Sequence, residues 1–188
     1  LINRRKVLGF LAVVAAVLVV DRIGKQLATK YLVGGESHSY LADTVRLEFT
    51  RNAGAILGLG SQLPEGLRNW LLPVLTAAVL ILVLVLLVRE PGFGLGAAGL
   101  SLAWGGGFAN FIDRLVYGEV VDFFNLGIGE VRTGISNLAD VAIMVGIPLI
   151  LIGWWLAERT HHGEQEGQPP ATQPQGPPAA PPDGGSKV

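Results

Sequence analysis

The chain has 188 residues, half of them hydrophobic, and a mean hydropathy of +0.48. Fourteen basic side chains stand against fifteen acidic ones for a net charge of −1, and there is no cysteine. This balance argues against a soluble domain and against a nucleic-acid binder working through a basic tract, and it excludes disulfides, thiolate nucleophiles and cysteine metal sites.

Arg4, Arg5 and Lys6 precede an apolar block, Leu8 to Val20, that continues through Asp21, Arg22 and Lys25 to Val33. No small-residue cleavage site follows Val20, so the block is expected to stay as an uncleaved first span with a cytoplasmic N-terminus. Next, Val45, Leu47 and Phe49 alternate with Arg46, Glu48 and Thr50, the period of a half-buried strand. Leu57, Leu59, Leu63, Leu67, Trp70 and Leu71 suit interfacial anchorage. Leu71 to Val88 is a second span, interrupted by Pro73 and Thr76, and Phe93 to Ile112 a third, rich in Gly and Ala. Gly105, Gly106 and Gly107 lack the Lys and Ser or Thr of a phosphate loop and suit close helix packing. Glu119 to Phe124 reads as a short strand, and Leu138 to Leu156 as a fourth span ending in Trp154 and Trp155.

The expected architecture is therefore an all-α polytopic membrane protein, four transmembrane helices with a small extracytoplasmic β-sheet on their outer ends. Residues 1–160 form the predicted membrane domain. From His161 to Val188 a Pro, Gly and Gln-rich tail lacks core-forming side chains and is expected to be disordered. An even number of spans returns the C-terminus to the cytoplasm with Arg89 and Arg159. The outer loops also carry Lys30, Arg46, Arg51, Arg68, Arg114 and Arg132, so the orientation rests on the first helix rather than on a strict count of basic residues.

On these spans the polar residues converge on one membrane face. Asp21 lies in the outer half of the first, Asn110 and Asp113 end the third, Asn137 and Asp140 start the fourth, and Asp122 sits between those two. Ionisable groups at such depth are costly and are functional candidates, against helix capping or interfacial solvation as the plainer explanation. Asn110 with Asp113, and Asn137 with Asp140, repeat a spacing of three that puts an amide and a carboxylate on one helix face. Paired carboxylates resist double ionisation, so one can act as base toward water while the other, protonated, polarises a carbonyl. The residues by themselves do not rank Asp113, Asp122 and Asp140 for this work. No third or fourth ligand accompanies His161 and His162, and His38 is a poor seed for a serine triad.

Five ordered motifs carry a resemblance to the lipoprotein signal peptidase (signal peptidase II) family over Leu8 to Trp155. They are Asp21-Arg22-Ile23-Gly24-Lys25, Asn52-Ala53-Gly54-Ala55, Gly105-Gly106 followed by Asn110-Phe111-Ile112-Asp113-Arg114, Val120-Val121-Asp122-Phe123, and Asn137-Leu138-Ala139-Asp140. The resemblance implies an aspartic endopeptidase of the bacterial inner membrane that removes signal peptides from diacylglyceryl-modified prolipoproteins, cutting before the lipid-bearing cysteine. It implies a catalytic dyad of Asp122 and Asp140 working without cofactor or metal. Asn137 would orient Asp140, Asn52 and Gly54 would hold the substrate backbone, and Asn110 and Arg114 would line the cleft. Asp113 is then an ion-pair or helix-end support, and Asp21 with Lys25 supporting polar architecture. The partners implied are the prolipoproteins and membrane lipids, with a monomer sufficient. Ala109, Ile56-Leu57 and Ser136 depart from the family's usual Gly, Ala-Phe and Phe. A transporter would spread its polar groups across the membrane, and an assembly subunit would need its carboxylates for folding rather than catalysis.

Overall fold

In the computed structural model the residues described are 3–35, 37–54 and 64–166. The described residues fall into two units, one ending at Trp155 and the other beginning at Leu156. Four helices and four strands follow in chain order: α1 Arg4–Tyr31, β1 His38–Tyr40, β2 Val45–Asn52, α2 Glu65–Arg89, α3 Leu95–Tyr117, β3 Val120–Ile128, β4 Val131–Arg132 and α4 Leu138–Glu166. Residues 167–188 of the Pro, Gly and Gln-rich segment, and the Ile56-Leu57 pair with Leu59 and Leu63, lie outside the described residues.

Asn3 starts α1, its Oδ1 accepting from the backbone N–H of Arg5 at 3.1 Å and of Lys6 at 3.3 Å, which satisfies donors the first turn leaves free. From α1, Lys6 Nζ donates to the carbonyls of Val88 (3.0 Å) and Glu90 (2.7 Å), closing the last turn of α2. Nearby, Leu87, Ala97 and Leu100 form a buried apolar cluster with Phe10, Val83, Leu86 and Ile150 packed against it. Away from such contacts the helices present apolar side chains outward, among them Leu11, Val19, Val79, Ile81, Leu82 and Leu151. A soluble protein would cover such faces with polar groups, whereas lipid accepts them.

The chain is thus a multi-pass membrane protein with a small sheet, and three of the four expected spans have the length and apolarity of one. Three helical segments, Arg4–Tyr31, Gly66–Arg89 and Leu138–Arg159, are long and apolar enough to cross a membrane. Helix α3 is not among them, because Gly, Trp104, Asn110, Asp113 and Arg114 replace the aliphatic side chains found on the others. Ten of its residues are buried, from Gly96 to Asp113, so little of it has to satisfy lipid. Its small residues admit α4 closely: a Cβ on Gly106 would lie 2.2 Å from the carbonyl oxygen of Ala139.

Gly118 ends α3 in the left-handed region, φ 75°, its N–H bonding the carbonyl of Arg114 at 3.0 Å. Glycine occupies that conformation without Cβ strain, and the reversal launches β3 directly from the helix end. The sheet is antiparallel in the order β1-β2-β3-β4. Thr50 pairs with Asp122 and Asn52 with Val120, and an irregularity between Leu47 and Thr50 breaks the alternation expected of β2. Phe124 bridges Ser136, whose backbone accepts from Phe123 N at 2.9 Å and donates to Phe124 O at 2.8 Å. Asp122 is consequently a strand residue fixed on both flanks, where the sequence allowed either a loop or a short strand.

Candidate active site

Asn137 immediately precedes α4 and is fully buried. Its Oδ1 accepts from the N–H of Asp140 at 3.0 Å, and its own N–H donates to Asp140 Oδ2 at 3.2 Å. This reciprocal pair is the geometry of a capping box, and it fixes Asp140 to the start of the helix. The Asn137 amide Nδ2 also donates to Asp122 Oδ1 at 2.6 Å. One asparagine therefore holds both carboxyl groups.

Two further amides complete the shell. Asn52 Nδ2, at the end of β2, donates to Asp122 Oδ2 at 2.9 Å, and Asn110 Nδ2, from α3, donates to Asp140 Oδ1 at 2.8 Å. Asn110 Oδ1 accepts from Asn137 Nδ2 at 3.2 Å and from Lys25 Nζ at 3.0 Å. Asp122 is 2 % exposed. Burial pushes its carboxyl above the ordinary carboxylate range, the amides of Asn52 and Asn137 pull the other way, and the charge of Asp140 adds to the rise.

Lys25 is a second hub. Its Nζ lies 2.6 Å from Asp21 Oδ2 and 2.6 Å from Asp113 Oδ2, with all three side chains buried. Asp21 Oδ1 accepts the N–H of Ala139 at 2.9 Å, so α1 supplies a cap to the first turn of α4. Asp113 also meets Arg22 Nη1 at 3.5 Å, and Arg22 donates to the Tyr117 hydroxyl at 2.8 Å. Arg114 Nη1 donates to the carbonyl of Asn110 at 3.3 Å. Gly54 is a buried bend two residues beyond Asn52.

The structure thus gathers Asn52, Asn110, Asp122, Asn137 and Asp140 into one hydrogen-bonded group, and Asp21, Lys25 and Asp113 into a neighbouring ion-paired group joined to it through Asn110. Two contacts escaped the sequence reading. Asn52, expected toward substrate, donates to Asp122, a partner set by strand register across 70 residues. Asp21 caps a helix 118 residues away. Spacing along one chain carries no signal of either. Among the described residues no group of three His, Cys, Asp or Glu side chains could hold a metal ion.

The fold and this group define a multi-pass membrane protein whose buried polar chemistry is that of carboxyl groups held by amides. Residues 13–156 match the family described as Signal peptidase (SPase) II, and the chain belongs to that family. Proteins named lipoprotein signal peptidase are similar to it. That of Brevibacillus brevis is 34% identical over 148 residues, covering 77% of this chain and 93% of the relative. That of Geobacillus thermodenitrificans is 35% identical over 150 residues, covering 77% and 91%, and that of Aquifex aeolicus 31% identical over 149, covering 79% and 87%. A bacterial membrane enzyme solved by the in meso method at 2.3 Å shares the fold, with a TM-score of 0.68 at 23% identity over 85% of this chain and 93% of the other. Membership gives the protein a hydrolytic, signal-peptidase-II-like function at the membrane.

Proposed function

We propose that the protein is an aspartic endopeptidase that removes signal peptides from diacylglyceryl-modified bacterial prolipoproteins, cutting the bond before the lipid-bearing cysteine. The observation that carries this reading is the bridge made by Asn137, which ties Asp122 Oδ1 to the helix turn that holds Asp140. Two carboxyl groups so held favour a state with one proton between them.

Burial makes Asp122 the better holder of that proton, and Asp140 is then the base. Asp140 takes a proton from water as the water oxygen bonds the scissile carbonyl carbon, and Asp122 gives its proton to the carbonyl oxygen. On collapse Asp140 passes its proton to the leaving nitrogen, the C–N bond breaks, and Asp122 recovers a proton from the hydroxyl. Each carboxyl ends as it began, and neither cofactor nor metal enters the scheme. Asn52 and Asn110 fix the outer oxygens of the pair, while Gly54 leaves room for peptide backbone. Asp21, Lys25 and Asp113 hold α1, α3 and α4 in register, and Arg114 lines the approach.

In this reading all four helices span the inner membrane, α3 shielded by its neighbours. The basic cluster of Arg4, Arg5 and Lys6 keeps the N-terminus in the cytoplasm and an even number of crossings returns the C-terminus there. The sheet and the dyad then face outward, where an acylated cysteine can leave its chains in the bilayer while its peptide bond reaches the carboxyls. A monomer suffices.

The test is cleavage of a diacylglyceryl-modified proprotein by the purified chain in detergent, beside Asp122→Asn at matched folding. Cutting before the modified cysteine by the parent, with loss of about 10³-fold or more in kcat for the variant, is expected of a group in the proton-transfer step. Normal cutting by a folded Asp122→Asn would remove Asp122 from the dyad.

A further inference from the structure

Asp21 and Lys25 stand one turn apart on the buried face of α1. Arg22 lies between them in the chain and turns outward, its side chain 49 % exposed. A guanidinium on the outer surface of a membrane helix is costly and marks a place where the charge is used. Here its planar fork serves two acceptors on α3. Nη1 meets Asp113 Oδ1 at 3.5 Å, Nη2 donates to the Tyr117 hydroxyl at 2.8 Å, and Cζ lies 5.5 Å from the centre of the Tyr117 ring. Asp113 and Tyr117 are four residues apart and share one face of the helix. Lys25 Nζ already holds the other oxygen of Asp113 at 2.6 Å, so the contact peculiar to Arg22 is the one to Tyr117.

Tyr117 belongs to a stretch that packing leaves loose. Asp113 and Val120 are buried, but Leu115, Val116, Tyr117 and Gly118 between them are exposed. A helix end with few buried contacts has low local stability. Yet from this stretch Gly118 turns the chain into β3, and Asp122 follows four residues later. Gly118 is itself no brace, since nothing lies within 4 Å of where a Cβ would stand. Its N–H bonds Arg114 within the same turn, and Glu119 pairs with Arg51 of β2 at an exposed position, where an ion pair contributes little. Arg22 ties the turn to a helix that also carries Asp21, whose carboxylate caps α4 beside Asp140. One turn of α1 thus reaches both carboxyls of the dyad, Asp140 through the start of α4 and Asp122 through the end of α3.

We propose that Arg22 is a positioning residue of the reaction: by gripping Tyr117 it fixes the turn from which β3 leaves α3, and with it the placement of Asp122 against Asp140. The inference rests on the peptidase reading, because it assigns Arg22 to the alignment of that dyad.

The experiment measures kcat and KM on a diacylglyceryl-modified proprotein, Tm in detergent, and backbone hydrogen exchange over residues 115–122. Misplacing a reacting group by about 1 Å costs about 10²-fold, and strand pairing with β2 limits the drift, so Arg22→Leu should lower kcat about tenfold with KM unchanged. The same variant should speed exchange over 115–122. Tyr117→Phe should lower kcat in the same way, and the double variant no further than Arg22→Leu alone, because both remove one contact. Arg22→Lys keeps a charge for Asp113 without the fork that also reaches Tyr117, so Tm should return toward the parent value while kcat stays low. A merely structural role would move the two together. Lys30→Leu removes an exposed cation over the Tyr31 ring farther along α1 and should change neither. A kcat for Arg22→Leu within about twofold of the parent, kcat recovering with Tm in Arg22→Lys, or exchange no faster than the parent's would overturn the assignment. If the parent itself never cuts, the peptidase reading fails, and exchange over 115–122 still decides whether Arg22 holds the junction.

Discussion

Replacing Lys25 by Met tests the central claim that the polar network sorts its carboxylates by what neutralises them. Lys25 is 3 % exposed and its Nζ makes three contacts, to Asp21 and Asp113 at 2.6 Å each and to Asn110 at 3.0 Å. Hydrogen bonds between membrane helices average only about 0.6 kcal/mol, so the two that reach α3 would sum to roughly 1 kcal/mol. Removing one partner of a buried ion pair costs about 3–5 kcal/mol, because the partner charge is left uncompensated. Here two carboxylates are stranded, so the charge effect governs, and the apparent Tm in detergent should fall by about 10 °C at 2–4 °C per kcal/mol. Replacing Asp113 by Asn in the same chain removes one stranded charge and should recover part of the loss. Light-scattering or fluorescence melts of the parent, the single and the double variant give the comparison. A Lys25→Met protein melting within about 1 °C of the parent would refute the argument, since no buried group of that charge could be lost so cheaply.

Asp122 gives a pH signature. Its folded carboxyl binds protons more tightly than in the unfolded chain, so between about pH 4 and its raised value the native state holds more protons and stability falls as pH rises. Asp122→Asn lacks this slope; paired melts from pH 4 upward should show the parent losing ground to the variant, and parallel curves would contradict the burial argument. Gly106→Ala puts a Cβ against the backbone of Ala139, the residue before Asp140. Because backbone cannot yield as a side-chain tip can, a loss of about 1–3 kcal/mol is expected, with a fall in kcat; a variant as stable and active as the parent would show that α3 and α4 need not approach so closely there.

Much of the architecture is legible in the chain because lipid enforces simple rules. Long aliphatic runs give α1, α2 and α4, and the alternation at Val45, Leu47 and Phe49 places a strand where β2 forms. Helix α3 is harder to read, since a helix packed among others can exchange aliphatic bulk for glycine and polar groups and so lose the signature of a span. The turn before β2 was not legible either. Leu41, Ala42 and Asp43 all have positive φ, a conformation no sequence rule expects of three non-glycine residues. Asp43 accepts from Arg46 Nε at 2.7 Å and from Ser39 at 2.7 Å, and Arg132 Nη1 bonds its carbonyl at 2.7 Å. The last of these anchors spans 89 residues and is invisible until the sheet is assembled.

For the site, sequence supplied the inventory and structure the grouping. Asp113 and Asp140 occupy equivalent places in their motifs, each three residues after an asparagine. What separates them is the cation: Asp113 has the ammonium of Lys25 at 2.6 Å, whereas Asp140 accepts from Asn110 Nδ2 and the N–H of Asn137. Amides orient a carboxylate without cancelling its charge, and an ammonium cancels it. A carboxylate held in an ion pair with Lys25 is committed to that contact and so suits support. In the proposed reaction the two carboxyl groups held by amides share one proton, which is the state that acid–base hydrolysis requires. The allocation of a single lysine between α1 and α3 thus leaves Asp122 and Asp140 as the pair poised for that chemistry in the proposed reaction.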